Sequence, residues 1–383
     1  MKKLFKVFLV VLAVVFSFVS LCPADTLPLK TGLRPFPSNG EYLLGKPIVA
    51  VVKCESYEET EVNKAVEEAI QLIGGIQDII KPGDRVGIKP NITTNNSGRS
   101  GVTTHYRIAE ALIKQIKKIT NGKITVMEGA GGANTSEAFK KLGWSGLCDR
   151  ENCNLVDLNH CAPYADFVVY RVPGGGLVFN ELSFNKVFEE IDVFISCSKM
   201  KVHDLTGITL CLKNQFGSVP MDVYGNPEKA KFNLHGDDPW SRVPRAINDI
   251  NACNPINLAV IDGVVGLEGG AGLWNSKAAV KHSKILIIGK NAVAVDAVGT
   301  MLMGYNPQED YPNAPFYVSE NHLKIAEKLG LGPCNPAKIN IKFGKGIKKL
   351  SDVVQFYDLN CARYDIPQDF KPKEVKKILL KKN

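Results

Sequence analysis

Residues 85–127, RVGIKPNITTNNSGRSGVTTHYRIAEALIKQIKKITNGKITVM, decide the fold. Arg85–Lys89 reads as a strand, ended by Pro90. In His105–Ile119 the apolar residues Ile108, Ala109, Leu112, Ile113 and Ile116 recur at helical spacing, which predicts one buried face. Lys123–Met127 is the next strand. Strand, helix and strand in that order point to a parallel sheet covered by helices.

The same alternation extends outward. Pro47–Val52 reads as a strand and Glu59–Leu72 as an amphipathic helix with Val62, Ala65, Val66, Ala69 and Ile70 inside. Ser136–Leu142 reads as a helix, and Phe167–Val172 and Val193–Cys197 as strands. Thr206–Phe216 contains a helix, Gly217–Pro239 is a loop-like insertion, and Ala246–Ala252 is helical. Asn257–Ile261, Lys284–Ile288 and Ile339–Ile341 are strands, and Ala292–Met303 is a helix of small residues. The expected fold is α/β, a mostly parallel sheet flanked by helices, with strand-end loops forming one cleft. The expected organisation is a signal peptide over 1–24, a linker or arm over 25–46, the α/β domain over 47–350 and a basic tail over 351–383.

The 383 residues are 45% hydrophobic and 22% charged, values of a globular chain. The formal net charge is +8, but its location matters more than its size. Residues 1–24 carry Lys2, Lys3 and Lys6 without an acid, which is +3. Residues 371–383 carry six lysines against Glu374, which is +5. The body between them is formally neutral, which argues against a nucleic-acid partner. The leader has a lysine-bearing start, an apolar stretch from Phe8 to Val19, and Cys22-Pro23-Ala24 before a cut. This predicts export to a periplasmic or extracellular location, and a cleaved signal is favoured over a lipoprotein or a membrane anchor. Membrane contact is expected only through this segment or the basic tail. There are ten cysteines and no CxxC pair, so no iron–sulfur cluster motif is present. A disulfide is expected among Cys148, Cys153 and Cys161.

Four stretches carry the polar chemistry. Ser198–Asn214, SKMKVHDLTGITLCLKN, follows the apolar run Val193-Phe194-Ile195 and reads as a strand end opening into a cationic loop. Open α/β sheets hold ligands at such places. Lys199, Lys201, Thr209, Lys213 and Asn214 suit an anionic ligand, and His203 is a candidate proton carrier or metal ligand. The second stretch runs from Lys89 and Asn91 to Thr104 and His105, where Thr104 is the expected helix N-cap. The third, Glu128-Gly129-Ala130-Gly131-Gly132, lets backbone approach a ligand at Gly129, Gly131 and Gly132 but matches no named phosphate loop. The fourth, Asp262 to Gly272, offers Asp262 and Glu268 as metal ligands or a general base. Asp296, an acid in an apolar helix, reads equally as a cap, an ion-pair partner or a site carboxylate. His235 is expected at the surface. No hydrolase signature is visible.

Taken in order, these stretches resemble the DUF362 domain family, a prokaryotic group named as a domain of unknown function. The resemblance rests on Lys89-Pro90-Asn91, Thr103-Thr104-His105, Gly129–Gly132, the Lys-x-His and Thr-Gly-x-Thr-x-x-x-Lys-Asn of Lys199–Asn214, Asp262-Gly263 with Glu268-Gly269, and Ala294–Val298. Some members carry a ferredoxin-like CxxCxxCxxxC module, which this chain lacks. The layout is also similar, more distantly, to the nucleotide- and nickel-binding domain of lactate-racemase-like proteins. That likeness implies that Lys89, His105, His203 and Lys213 meet an anionic cofactor or a metal.

The expectation is an exported protein that binds a small anionic molecule, or an anionic nucleotide-like cofactor, with a divalent metal as an option, and acts on it. The expected catalytic groups are His203, Lys213, Glu268 and Asp262. The expected metal ligands are His105, His203 and Asp262. Lys89, Asn91, Thr104, Gly129, Gly131, Gly132, Lys199, Lys201, Thr209 and Asn214 are expected to bind the ligand. The alternative is a non-catalytic ligand- or partner-binding protein of the cell envelope.

Overall fold

β2 (Val86–Pro90) and β3 (Ile124–Glu128) pair in parallel on either side of the helix Tyr106–Ile116 in sequence, as the periodicity predicts. The computed structural model describes residues 29–34, 45–225, 231–360 and 366–376. The expected signal over 1–24 lies outside the described residues, as do most of the arm and the end of the basic tail. Residues 31–383 form one compact unit; of residues 1–30 only Leu29 and Lys30 are described.

The remaining strands are β1 (Ile48–Lys53), β4 (Asn154–Asp157), β7 (Val193–His203), β8 (Gly207–Thr209), β9 (Leu258–Glu268), β10 (Ala279–Lys281), β11 (Ile285–Gly289) and β12 (Asn340–Phe343). With β2 and β3 they make a ten-stranded mixed sheet in the order β12-β1-β11-β9-β7-β2-β3-β4, with β10 on β9 and β8 on β7. From β9 to β4 every neighbour on this path is parallel, and β11 is antiparallel to both β1 and β9. β5 (Phe167–Arg171) and β6 (Glu181–Asn185) form a separate hairpin.

Strand residues alternate between two apolar cores, one on each face of the sheet. In β1, Val49 and Val51 enter the core that holds the helices Pro239–Cys253, Ala292–Leu302 and His322–Leu329. Ala50 and Val52 enter the core under Glu59–Leu72 and Tyr106–Ile116. The five buried residues of Glu59–Leu72 are the five predicted from its spacing. Each large aliphatic side chain among them contributes roughly 1.5–3 kcal/mol by leaving water.

Two strands run further than the sequence suggests. β7 continues through Lys199, Lys201 and His203, and β9 continues through Asp262 to Glu268, so these residues stand in strands and not in loops. The physical reason is the pleat. In Lys199-Met200-Lys201-Val202-His203 the polar residues alternate with Met200 and Val202, which are fully buried on the opposite face. β7 and β9 support one another over this length, with an irregularity between Lys199 and Lys201.

The chain passes from β2 outward to β3 and β4, then returns so that β7 pairs on the other side of β2. The loops that leave β2 and β7 therefore diverge, and the crevice between them is the topological switch point of the sheet.

The described C-terminal segment is attached to this body: Tyr357 and Val375 are buried, and the Lys373 carbonyl accepts from Arg245 Nη2. Cys148, Cys153 and Cys161 are free thiols, so the expected disulfide is not formed. Cys148 instead lies in the core, with Sγ on the Asn154 carbonyl, and Cys153 Sγ lies on the Glu151 carbonyl.

Candidate functional site

The crevice at the switch point is a cavity of about 360 Å³. β2 supplies Lys89, β3 supplies Glu128, β7 supplies Lys201 and His203, and β8 supplies Thr209. The one-turn helix Cys211–Asn214 supplies Lys213 and Asn214, and Lys231 and His235 come from the insertion after it. Ile92, Phe216, Ala271 and Trp274 give part of the wall an apolar surface, with Trp274 exposed at the rim. A broader hollow of about 610 Å³ lies between Phe179 and Arg242, but among the described residues no buried charges converge there.

At the cavity wall Lys89 Nζ meets Glu128 Oε1 at 2.5 Å, both side chains buried. Burial pulls the Lys89 pKa down and Glu128 opposes it. Glu128 also accepts from the backbone of Ile92 and Gly129, which fixes the turns after β2 and β3. Asn214 Oδ1 accepts from Lys89 Nζ and Asn91 Nδ2, while its own amide donates to the Lys89 carbonyl and Ser196 Oγ. Asn214 thus holds Lys89 in place. A Cβ at Gly217 would lie 2.0 Å from Glu128 Oε1 and 2.5 Å from Lys89 Nζ, so only glycine lets that turn close over the pair.

Among the described residues four lysines line the cavity, and each is held differently. Lys201 Nζ donates to Thr93 Oγ1 and to the carbonyls of Val102 and Ala271. Lys231 Nζ donates to the carbonyls of Gly129 and Phe216. Lys89 is paired with Glu128. Lys213 Nζ has no acceptor among the described residues and lies 3.9 Å from the centre of the Phe216 ring. Burial pushes Lys201, Lys213 and Lys231 down to about 7 each; neighbouring lysines add to the effect at Lys201 and Lys213, and Glu128 opposes it at Lys231.

Asp296 decides where Lys213 stands. Its two carboxylate oxygens accept from the backbone N–H of Cys211 and Leu212, each at 2.8 Å. It is a cap for the one-turn helix, buried on the far side and absent from the cavity lining. Burial raises its pKa to about 7, and the two backbone donors work against that rise.

The two cavity histidines have opposite tautomers. His203 Nδ1 accepts from the backbone of Leu205 and Thr206, so in the neutral ring Nε2 carries the hydrogen. His235 Nδ1 faces the Lys231 carbonyl at 3.0 Å and must donate, which leaves a lone pair on Nε2. Burial and nearby lysine charges keep both pKa values below the usual histidine range. Two polar atoms of the lining, Thr209 Oγ1 and Asn91 Oδ1, are buried without a hydrogen-bond partner among the described residues.

Of the sequence-predicted residues, Lys89, Asn91, Gly129, Gly131, Gly132, Lys201, His203, Thr209, Lys213 and Asn214 meet at this cavity. Lys199, Asp262, Thr104, His105 and Glu268 do not. Lys199 Nζ and Asp262 Oδ2 form a fully buried pair at 2.9 Å, closed by Tyr57, whose hydroxyl donates to Asp262 and accepts from Lys199. The His105 backbone N–H takes the other side of Asp262. Every strong acceptor direction of Asp262 is used, which makes it a structural counter-ion and no general base. Thr104 Oγ1 bridges the Asn91 N–H and the Cys197 carbonyl, and the helix cap is His105, whose Nδ1 accepts from Arg107. The His105 ring is stacked between Tyr57 and Tyr106 beside a separate hollow of about 170 Å³. Glu268 pairs with Lys281 and accepts from the Asp358 backbone.

The expected metal set of His105, His203 and Asp262 is therefore not brought together. Among the described residues no group of three or more His, Cys, Asp or Glu is arranged to hold a metal. His203 Nδ1 is taken up by the Leu205 and Thr206 N–H groups, and Asp262 is spent on Tyr57 and Lys199, so these donors do not assemble a metal site.

Three ionisable residues of the cavity, Glu128, Lys231 and His235, are not among the expected site residues. Glu128 directly follows an apolar strand, the position that already marked Lys89, and that signal could have found it. Lys231 and His235 lie in the insertion read as loop, where the short helix Phe232–His235 turns them inward; no local pattern announces this.

The sequence profile of the family described as "Domain of unknown function (DUF362)" matches residues 86–301, a span that contains every one of these cavity residues. A protein named thylakoid-associated protein sll1697, from Synechocystis sp. (strain ATCC 27184 / PCC 6803 / Kazusa), is 24% identical over 286 residues, covering 74% of this chain and 80% of the relative. No solved structure matches the chain. Among the described residues no helix is long and apolar enough to cross a membrane.

Proposed function

Because the chain belongs to the DUF362 family, whose description assigns no activity, we propose from the cavity itself that the protein binds a small anionic molecule with a flat or apolar part and acts on it by acid–base chemistry. The observation that carries this reading is the charge count of the lining: among the described residues four lysines converge on one cavity against a single carboxylate, Glu128. An anion that joins buried lysines in that number favours their charged form. The unpartnered Thr209 Oγ1 and Asn91 Oδ1 supply a hydroxyl and an amide oxygen for the ligand's polar edge. Phe216 and Trp274 supply aromatic surface for its body.

The opposed histidines favour an enzyme over a passive binder. His203 Nε2–H can donate a hydrogen bond to a developing oxyanion and His235 Nε2 can accept a proton, an electrophile and a general base on one cavity. Asp296 and Asn214 act as positioning residues for Lys213 and Lys89. Export remains part of the proposal, on the leader of the sequence, and is read by N-terminal sequencing of the mature protein. The relative's name associates that protein with thylakoids; for this chain the proposal is confined to an exported location, with no spanning helix invoked.

Isothermal titration with sulfate, followed by inorganic phosphate and small aromatic carboxylates, tests the binding reading. Saturable one-to-one binding that weakens at least tenfold in Lys201→Met supports it. Absence of saturable binding for every anion, with the protein folded, overturns it.

A further inference from the structure

Lys213 stands apart from the other lysines of the cavity. Lys89 faces a carboxylate, Lys201 has three oxygen acceptors and Lys231 has two, arrangements that hold an ammonium. Lys213 Nζ has no acceptor among the described residues, lies over the Phe216 ring, and belongs to a side chain that is only 9% exposed. Its backbone is clamped by Asp296 through Cys211 and Leu212, so the amine is delivered to the cavity from a fixed base. The wall around it also carries a hydrogen-bond donor, His203 Nε2–H, and a proton acceptor, His235 Nε2. A lysine desolvated in an apolar setting beside other cations is the arrangement that makes an amine a nucleophile.

Resting on the anion-binding reading above, we propose that Lys213 forms an imine with the carbonyl group of an anionic aldehyde or ketone bound in this cavity. The Nζ lone pair bonds to the carbonyl carbon, and the C=O π pair moves to oxygen, which accepts a hydrogen bond from the neutral His203 Nε2–H. His235 Nε2 takes one proton from the nitrogen and passes it to that oxygen, leaving a neutral carbinolamine. His235 then carries the remaining N–H proton to the hydroxyl, which leaves as water while the nitrogen electrons close the C=N bond. Both amine hydrogens end in the water released, both histidines return to the neutral form, and no oxidant or reductant is consumed. Lys231, whose third N–H is uncommitted among the described residues, holds the anionic end beside Lys213, and Lys89 and Lys201, whose three N–H groups are already taken, attract it by charge alone. The burial that disfavours the ammonium form of Lys213 supplies free amine near neutral pH.

Pyridoxal 5′-phosphate is a suitable probe, having an anion, a flat ring and an aldehyde. Pyridoxine 5′-phosphate, with an alcohol in place of the aldehyde, measures reversible binding alone. The full chain is incubated with the aldehyde, reduced with borohydride, weighed intact and mapped by peptide mass. The expected result is one adduct per chain on Lys213, at least tenfold reduced by excess sulfate and absent in Lys213→Arg, which keeps the charge but cannot form the imine. Circular dichroism and thermal melting confirm that the variant is folded; should it not be, sulfate competition on the wild-type adduct decides. Saturable pyridoxine 5′-phosphate binding with no adduct on Lys213 overturns the imine and leaves the anion site standing. No saturable binding of either compound, with or without adducts on surface lysines, overturns both.

Discussion

Lys89 and Glu128 meet end to end at 2.5 Å inside the cavity wall, each from the last turn of a parallel neighbour strand and each shielded from water. The pair joins two adjacent strand ends of the switch point and cancels one of four lysine charges. Glu128→Gln leaves Lys89 buried and uncompensated, which is expected to cost about 3–5 kcal/mol in urea unfolding. Sulfate should bind this variant more tightly than wild type, since one anionic competitor is gone. Weaker sulfate binding in a folded Glu128→Gln would contradict the role given to the pair.

Thr209 Oγ1 is buried without a partner, which makes Thr209→Val an informative change. Removing an orphaned hydroxyl at nearly constant shape should leave the empty protein as stable or more stable, by up to about 1 kcal/mol. Sulfate affinity should fall several-fold because the ligand loses a donor. A loss of stability with unchanged affinity would show that the hydroxyl serves the fold.

The Lys199–Asp262–Tyr57 cluster gives the converse case. Asp262→Asn breaks a fully buried ion pair and should destabilise by about 3–5 kcal/mol. Tyr57→Phe removes one hydroxyl from the same cluster and should cost about 1–2 kcal/mol. Tyr57→Phe should not change the sulfate dissociation constant, because Tyr57 lies outside the cavity lining. A tenfold change in it would return this cluster to the functional site.

The pH dependence has a definite sign. In the folded protein Lys201, Lys213 and Lys231 titrate near about 7, against 10.5 for an ordinary lysine. Between these values the unfolded chain holds more protons, so the ligand-free protein should gain stability as pH rises from about 7 and stop gaining near the unfolded value. Anion binding runs the other way, since it needs the ammonium form. Sulfate, whose charge is constant here, should bind more weakly as pH rises from about 6 to about 9. The imine rate on Lys213 needs free amine and should rise over the same interval. Sulfate affinity that is flat or rises with pH would contradict the assignment of these lysines as its ligands.

Much of this molecule is legible in the chain, and the reasons for the rest are local. The sheet and its covering helices follow from periodicity, as Ile108, Leu112 and Ile116 on the Tyr106–Ile116 helix illustrate. Ten of the expected site residues share the cavity because strand ends in an open sheet converge. Lys199 and Asp262 were assigned to the site because charge at a strand end resembles a ligand group, yet their pairing is satisfied internally, and nothing in sequence spacing reveals a partner 63 residues away. The strand Lys199–His203 was legible in principle, through the alternation of lysines with Met200 and Val202. Lys231 and His235 were not, because their place depends on how the insertion folds back over Phe216. The tautomers of His203 and His235, which separate hydrogen-bond donor from base, exist only in the folded backbone.

The most direct test of the central claim is a crystal of the protein soaked in selenate, with anomalous data recorded at the selenium edge. The predicted result is one strong anomalous peak inside the switch-point cavity, within hydrogen-bond distance of Lys213 Nζ and Thr209 Oγ1. Peaks confined to the surface, or to the hollow beside His105, with the cavity empty at saturating selenate, would contradict the assignment of this cavity as an anion site.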